Sequence, residues 1–359
     1  MHRHPRSTTM LHHDVQIVDF LWIDPAAFGL ATGAASNLEN LLADAKTNFV
    51  LVRAESNFAA MLRTADRGDT RIIAVGRPLR LLKRELWVLW LVARTLLRGR
   101  DIVYTSWLPR LCLCVLLLPI KCRVFVHDLN IFRGRIHDAN FRQPSWLSRL
   151  HQYLSIKRAT LVQSFARSVA RQLGLLRRDP IPVVGQTVRV VVPPPGERAG
   201  NNAVIFLDDR NYKGTWVLKR FYSSTSGFRL TVIGRIDPAS EKLLQSRGIA
   251  VEALRPSDEE KFKRLAAADY VIFASKYEGF GLPPREAAAV GTPALIARRA
   301  ALLDIPARLS LSIDRLGDRI DLAEIAKRMA QIDRSALQQW AAGFCGPVST
   351  SWERKSPMP

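Results

Sequence analysis

The stretch of sequence that decides the fold runs from residue 270 to 297: Y-V-I-F-A-S-K-Y-E-G-F-G-L-P-P-R-E-A-A-A-V-G-T-P-A-L-I-A. Its apolar opening, Tyr270 to Ala274, reads as a buried strand. A loop with Glu278, Gly279 and Gly281 follows. A helix then starts at the prolines, which lack the N–H that a first turn leaves unpaired anyway. The helix continues to Val290 and is ended by Gly291, and Thr292 to Ala297 is the next strand. Gly279 and Gly281 let the backbone approach a ligand closely. The free N–H groups and positive end of the helix suit a phosphate. Glu278 in the loop and Glu286 in the first turn stand eight positions apart, where carboxylates can accept hydrogen bonds from sugar or ribose hydroxyls.

Working outward, the same alternation recurs on both sides. Ala203 to Leu207, Leu230 to Ile233 and Ile249 to Ala253 are strand-like, and Ser257 with Glu260 forms a capping box at the start of a helix. In the first half, Val15 to Trp22, Phe49 to Arg53, Ile72 to Val75, Ile102 to Thr105, Arg123 to Val126 and Leu161 to Gln163 read as strands, with helices over Ser36 to Ala45, Leu79 to Leu97 and Phe165 to Leu173. Ser164 stands at that last helix's cap position. Short apolar strands separated by helices predict parallel sheets. Pro193-Pro194-Pro195-Gly196 can continue neither a helix nor a central strand, so a linker is expected at 193–202. The length of 359 residues suits two domains at roughly 150 residues each. The expected division is 1–195 and 196–359, two doubly wound α/β domains facing a cleft, with ligands at the carboxyl ends of the strands.

The 270–297 stretch resembles the Glu-x7-Glu signature of retaining glycosyltransferases, in particular glycosyltransferase family 4 with its GT-B fold of two Rossmann-like domains. The family form is close to E-G-F-G-L-P-x-x-E-A-x-A-x-G-x-P, and nearly every fixed position is matched. The resemblance implies that Glu278 contacts the donor sugar, that Gly279, Phe280, Gly281 and Leu282 belong to the donor loop, and that Glu286 holds the ribose. It extends to D-D-R-N-Y-K-G after Ala203–Leu207, where Arg210 and Lys213 would hold the nucleotide diphosphate, although the two cations are closer together than is common in the family. In R-V-F-V-H-D-L-N it picks out His127 beside the donor sugar. S-T-S-W-E-R near the end is similar to the segment that crosses back to the first domain, with Trp352 as its anchor. The family's Gly-Gly acceptor loop is replaced here by P-A-A-F-G-L-A-T-G, with Gly29 and Gly33 four apart and Gly33 as the close-approach glycine. Asp208-Asp209 could be taken for a metal motif, but the resemblance implies chemistry without a bound metal or cofactor, the nucleotide sugar being a substrate.

Charge adds a second theme. Lys and Arg number 53 against 32 Asp and Glu, and +15 of the net +21 lies in residues 1–200. A basic half facing a nearly balanced one predicts an anionic partner: nucleic acid, an anionic membrane or a phosphorylated substrate. No nucleic-acid motif accompanies the charge. Trp87 and Trp90, three apart among Arg77, Arg80, Lys83, Arg84, Arg94, Arg98 and Arg100, suit a membrane interface, although the apolar core of that helix suits packing on a sheet. Arg133, with Arg135 and Arg142, could meet the pyrophosphate of a lipid-linked acceptor. The apolar runs Leu86–Ala93 and Leu111–Ile120 fall short of the ~20 residues of a membrane span. The N-terminus lacks a secretory pattern, and Cys112, Cys114, Cys122 and Cys345 contain no Cys-x-x-Cys pair. These features predict a cytoplasmic protein, peripheral on the inner face of the cytoplasmic membrane.

The resemblance therefore implies a retaining, metal-independent transferase that moves a hexose from a GDP- or UDP-sugar to a lipid-linked saccharide in envelope or exopolysaccharide assembly. A GT-B epimerase or hydrolase, and a non-catalytic sugar-nucleotide binder, are the alternatives.

Overall fold

The computed structural model describes residues 13–19, 45–53, 70–76, 79–106, 108–126, 145–184, 190, 198, 200–207, 213–276 and 278–344. The chain divides into two compact units. The first comprises Met1–His127, Pro144–Ser164 and Ala170–Val184, the second Asp128–Gln143, Phe165–Val169 and Gly185–Pro359.

In the first unit the order is β1 (His13–Asp19), β2 (Ala45–Arg53), β3 (Thr70–Val75), α1 (Arg80–Leu96), β4 (Ile102–Ser106), α2 (Leu113–Leu117), β5 (Lys121–Val126), α3 (Trp146–Arg158) and β6 (Leu161–Ser164). The strands form one sheet in the order β3-β2-β1-β4-β5-β6, every pair parallel. A parallel sheet is covered on both faces, which is why β4 and most of β5 are buried without alternation. Between β1 and β4 the interior holds a polar knot. Arg84 donates through Nε to Asp19 at 2.7 Å, and through Nη2 to the Tyr104 hydroxyl at 3.1 Å and the Arg110 carbonyl at 2.7 Å. Tyr104 also donates to Asp19. Burial alone would lower the Arg84 pKa, but Asp19, Tyr104 and Cys112 together outweigh it and keep the guanidinium charged.

Helix α4 (Arg167–Gly174) follows β6. Ser164, expected at its cap position, is the last residue of β6. The N–H groups of Arg167 and Ser168, both in the second unit, donate to Asp304 of that unit at 2.7 and 3.2 Å.

The second unit continues with β7 (Asn202–Leu207), α5 (Thr215–Leu218), β8 (Phe221–Tyr222), β9 (Phe228–Gly234), α6 (Pro238–Gln245), β10 (Ile249–Leu254), α7 (Asp258–Ala267), β11 (Tyr270–Phe273), α8 (Leu282–Ala289), β12 (Ala294–Ile296), β13 (Ser310–Ser312), β14 (Ile320–Asp321), α9 (Leu322–Met329) and α10 (Arg334–Ala342). Its main sheet runs β10-β9-β7-β11-β12-β13, all parallel, the same strand order as the first. β8 and β14 pair separately. One face of the main sheet packs on Phe221, Phe228 and Met329, the other on Phe262, Leu265 and Leu302.

The doubly wound architecture read from the sequence is thus present twice. Ser257 caps α7 as expected, accepting from Glu260 N at 3.3 Å. The Glu260 carboxylate, expected to reach back, accepts instead from Arg264 Nε at 2.7 Å. Helices α2, α3, α5, α6, α9 and α10 were not anticipated, and the helix expected over Ser36 to Ala45 lies outside the described residues except for Ala45, which opens β2. The expected linker lies largely outside the described residues.

Backbones approach closely at Gly234, with φ +122°: a Cβ there would lie 1.9 Å from the Leu207 carbonyl oxygen. Gly227, with φ +76°, has open space instead. Gly234→Ala should therefore cost at least ~3 kcal/mol, since backbone must move, and Gly227→Ala only ~1–2 kcal/mol, the intrinsic penalty of a left-handed residue. Urea unfolding of the two variants would show it, and equal losses would contradict this reading of β7 and β9.

Candidate functional site

The strand order of the second unit reverses between β7 and β11. At such a point successive connections leave in opposite directions and a crevice opens beyond the carboxyl ends of the strands. The segment after β7 brings Lys213, and the segment after β11 brings Glu278. Their side chains, both largely buried, form an ion pair from Nζ to Oε1. Gly214 (φ +126°) opens α5, and a Cβ there would sit 3.1 Å from Leu207 Cδ2, so the loop lies close against β7. Trp216 Nε1 donates to the Ala274 carbonyl at 2.8 Å and ties the two segments together. The Lys276 ammonium lies 4.8 Å from the Trp216 ring centroid, in the range of a cation–π contact.

The loop 278–281 enters α8 through Gly281, whose φ of +74° lies in the left-handed region. A Cβ there would meet Leu302 Cδ2 at 2.7 Å. Arg285 folds back from α8 and holds this loop. Its Nη1 donates to the carbonyls of Phe280 and, at 3.2 Å, Gly281. Its guanidinium stacks 4.0 Å over the Phe280 ring and lies 5.8 and 5.7 Å from the Trp340 and Phe344 rings. Burial lowers its pKa to about 10, against the opposing charges of Asp304 and Glu278. Phe280 and Leu282 pack against the apolar core, so what this turn can offer a ligand is its backbone.

Glu286 is buried in the first turns of α8. Its Oε1 accepts from Lys261 Nζ at 3.0 Å, and the same ammonium reaches Asp258 at 3.1 Å. Burial pushes the Glu286 carboxyl above the usual carboxylate range, with Lys261 offsetting only part of the rise. Burial would lower the Lys261 pKa, but Glu286 and Asp258 more than compensate and hold it above its ordinary value.

Lys213, Glu278, Gly279, Phe280, Gly281, Leu282 and Glu286, all named from the sequence, therefore belong to two adjoining segments at the strand reversal. Arg210, His127, Gly29, Gly33 and Arg133 lie outside the described residues, as do Asp208 and Asp209. Lys261, Arg285, Trp216 and Lys276 went unrecognised in the sequence. Lys261 had a visible signal, standing three positions after Asp258 on the helix opened by the capping box. Arg285 had none, occupying a variable position of the motif.

In the first unit, donor atoms of Glu85, Cys112 and Cys114 lie within 4.8 Å of one another. Glu85 already caps α2, accepting from Leu113 N at 3.1 Å and Cys114 N at 3.2 Å. Burial pushes the Cys112 thiol well above its usual range, which opposes the deprotonation a metal ligand requires.

Comparison with known proteins bears out the family resemblance over part of the chain. Residues 218–340, which contain both glutamates, match a family model described as family 4 glycosyltransferase in conflict systems. No curated protein matches the sequence. Among solved structures, the chain is similar to Anabaena Alr3699/HepE in complex with UDP and glucose, at TM-score 0.62 and 13% identity, over 92% of this chain and 95% of that one. It is similar to the lipopolysaccharide outer core galactosyltransferase WaaB, at TM-score 0.62 and 12% identity, over 93% and 96%. It is also similar to the sucrose-phosphate synthase tll1590 from Thermosynechococcus elongatus, at TM-score 0.61 and 15% identity, over 92% and 95%.

The Glu286 pair has a pH signature. A carboxyl whose folded-state pKa is raised binds its proton more tightly when folded, so its ionisation costs stability as pH rises from the ordinary carboxylate range through the raised value. Thermal melts from mildly acidic to neutral pH should show the wild type losing stability relative to Glu286→Gln as pH rises. A difference that is flat, or of opposite slope, would mean that Lys261 fully compensates the burial.

Proposed function

We propose, from a GT-B fold whose second unit matches a family 4 glycosyltransferase model, that this chain transfers a sugar from a nucleotide-diphosphate sugar to a hydroxyl acceptor with retention of configuration. The observation that carries the reading is the meeting of Lys213 and Glu278 at the β7/β11 reversal, beside the glycine loop and the first turns of α8.

The proposed roles follow from the chemistry of each group. A nucleoside diphosphate develops charge as it leaves, and cations fixed beforehand stabilise that charge more than the ground state. Lys213 and Arg210 take this part, helped by backbone N–H groups of the 279–282 turn. When the donor arrives, Lys213 exchanges the Glu278 carboxylate for phosphate oxygens, and Glu278 turns to the hydroxyls of the donor sugar. Glu286 accepts from the ribose, and His127 orients the sugar. In front-face transfer the anomeric carbon–oxygen bond to the diphosphate breaks while the acceptor oxygen bonds on the same face. The departing phosphate oxygen takes the acceptor's proton, so no enzymatic nucleophile and no metal are required. The acceptor is a lipid-linked saccharide of envelope or exopolysaccharide assembly, met on the side of Gly29, Gly33 and Arg133 at the inner face of the cytoplasmic membrane.

A thermal-shift panel with UDP, GDP, ADP and their sugar conjugates tests the donor site. A ligand at 100 times its dissociation constant adds ~2.7 kcal/mol, a rise of several degrees for a chain of this size. One nucleotide class should shift the melt, and Lys213→Ala and Glu286→Ala should each abolish the shift. A melt indifferent to every nucleotide would sink the assignment. Product analysis with and without acceptor then separates a transferase from an epimerase or hydrolase, and binding without turnover identifies a non-catalytic protein.

A further inference from the structure

The two units share one strand order, so they share one layer plan. In the first unit the crossovers from β3 to β4, β4 to β5 and β5 to β6 all move the same way across the sheet. Right-handed crossovers therefore place α1, α2 and α3 on a single face of it. Their contacts agree, α2 packing against both α1 and α3. The inner side of this layer buries Val88, Leu91 and Val115 as a surface helix should. The outer side is apolar as well. Leu86, Trp87 and Trp90 of α1 are exposed, Leu117 of α2 is 86% exposed, and Trp146 and Leu150 of α3 are exposed, Trp146 at 70%.

The second unit is an internal comparison. In the corresponding layer α7 exposes Asp258, Glu259 and Lys263, and α8 is covered by α10. Among the described residues of the second unit, Leu303 is the single exposed large hydrophobic side chain. The outward leucines and tryptophans are therefore a property of the first unit and not of the fold.

The charge carried by the three helices of this face is nearly all of one sign, and the exposed Asp101 just beyond α1 is paired with Lys121 at 3.2 Å. Lys83, Arg94, Arg98, Arg100 and Lys157 are exposed on or beside the three helices. Glu85 is the only carboxylate in their sequences, and it is turned onto the Leu113 and Cys114 N–H groups. The rings of Trp87 and Trp90 pack edge to face at 5.4 Å, and the Arg94 guanidinium lies 4.9 Å from the Trp90 centroid. Tryptophan beside arginine, with leucines around them, suits the boundary between acyl chains and anionic headgroups. A second copy of the chain would set two cationic faces against each other, and a nucleic acid would leave the leucines in water.

We propose that the outer face of α1, α2 and α3 docks on an anionic lipid bilayer. The leucines and tryptophans enter the headgroup–acyl boundary while Lys83, Arg94, Arg98 and Lys157 meet lipid phosphates. This deepens the reading that the acceptor is lipid-linked, but its test needs no donor, so either can fail alone.

Flotation of the full chain with vesicles of phosphatidylcholine, or of phosphatidylcholine with phosphatidylglycerol, measures the docking. The chain should float with the anionic vesicles and hardly with the neutral ones. Replacing Lys83 and Arg98 by Gln should lower the partition about 30-fold, as two lost headgroup attractions imply. Leu117→Ser with Trp146→Ser, both too exposed to threaten the core, should release the protein from anionic vesicles in high salt, where screening leaves the apolar contribution. Leu303→Ser should change nothing, and all the variants should keep the wild-type nucleotide shift. The proposal falls if the chain ignores anionic vesicles or if the serine pair floats like the wild type. It falls equally if sedimentation shows a dimer that the serine pair dissociates, which would give this face to a second copy.

Discussion

Parallel pairing of β7 with β11 is the constraint on which the rest of the second unit depends. Parallel neighbours cannot be joined by a hairpin, so each connection must cross the sheet through a helix or loop. β7 sends its chain towards β9 on one side, and β11 sends its chain towards β12 on the other. The two strand ends are therefore adjacent while the segments that follow diverge, and this divergence leaves room for Lys213 and Glu278 to face each other. The details at this point keep the arrangement tight. Gly214 lets its loop lie against Leu207, Trp216 reaches the Ala274 carbonyl, and Gly281 turns the backbone into α8 beneath Leu302. None of these is a charge, yet together they fix where the charges stand.

Three cations withdrawn from solvent, Arg84, Lys261 and Arg285, are held in different ways. Arg84 keeps its proton through Asp19, Tyr104 and Cys112, and Lys261 keeps its proton through Glu286 and Asp258. Arg285 lies mainly among aromatic rings and carbonyl oxygens, and its pKa falls accordingly. A flat guanidinium can lie face to face on a ring while it donates in its own plane. Arg285 thereby links the 278–281 loop to α10 and its end, through Phe280, Trp340 and Phe344. The order of the loop thus depends on residues that stand far along the chain from either glutamate of the motif.

What could be read from the sequence was what is encoded locally. The segment 270–297 announces strand, loop, helix and strand because glycine and proline punctuate it and apolar residues fill the rest. Two sheets of one kind follow from repeating that reading along the chain. Lys261 with Glu286 was not legible, since packing of α7 against α8 brings them together. Helix α3 was missed because its outward leucines blur the periodicity that marks an amphipathic helix, and α9 and α10 because no motif drew attention to them. Helix α1 was found, but its apolar residues were more numerous than one buried face requires. The excess, together with the charge of the N-terminal half, was the visible trace of an outer face that only the strand order could locate.

The strand order reverses in the first unit too, between β1 and β4, and there the described side chains meet one another. Asp19 stands at the carboxyl end of β1, and Arg84 binds it together with Tyr104 and the Arg110 carbonyl, while Ser106 at the end of β4 donates to the Leu108 carbonyl at 2.6 Å. Opposite charges pair at both reversals, but the Arg84–Asp19 pair is fully buried, whereas the Lys213 and Glu278 side chains keep 21% and 13% of their exposure. Two sheets of identical order therefore do not amount to two equivalent sites. The consequence is one of inequivalence: a duplicated architecture is asymmetric in the chemistry of its described strand ends, so doubling the sheet does not by itself double a site.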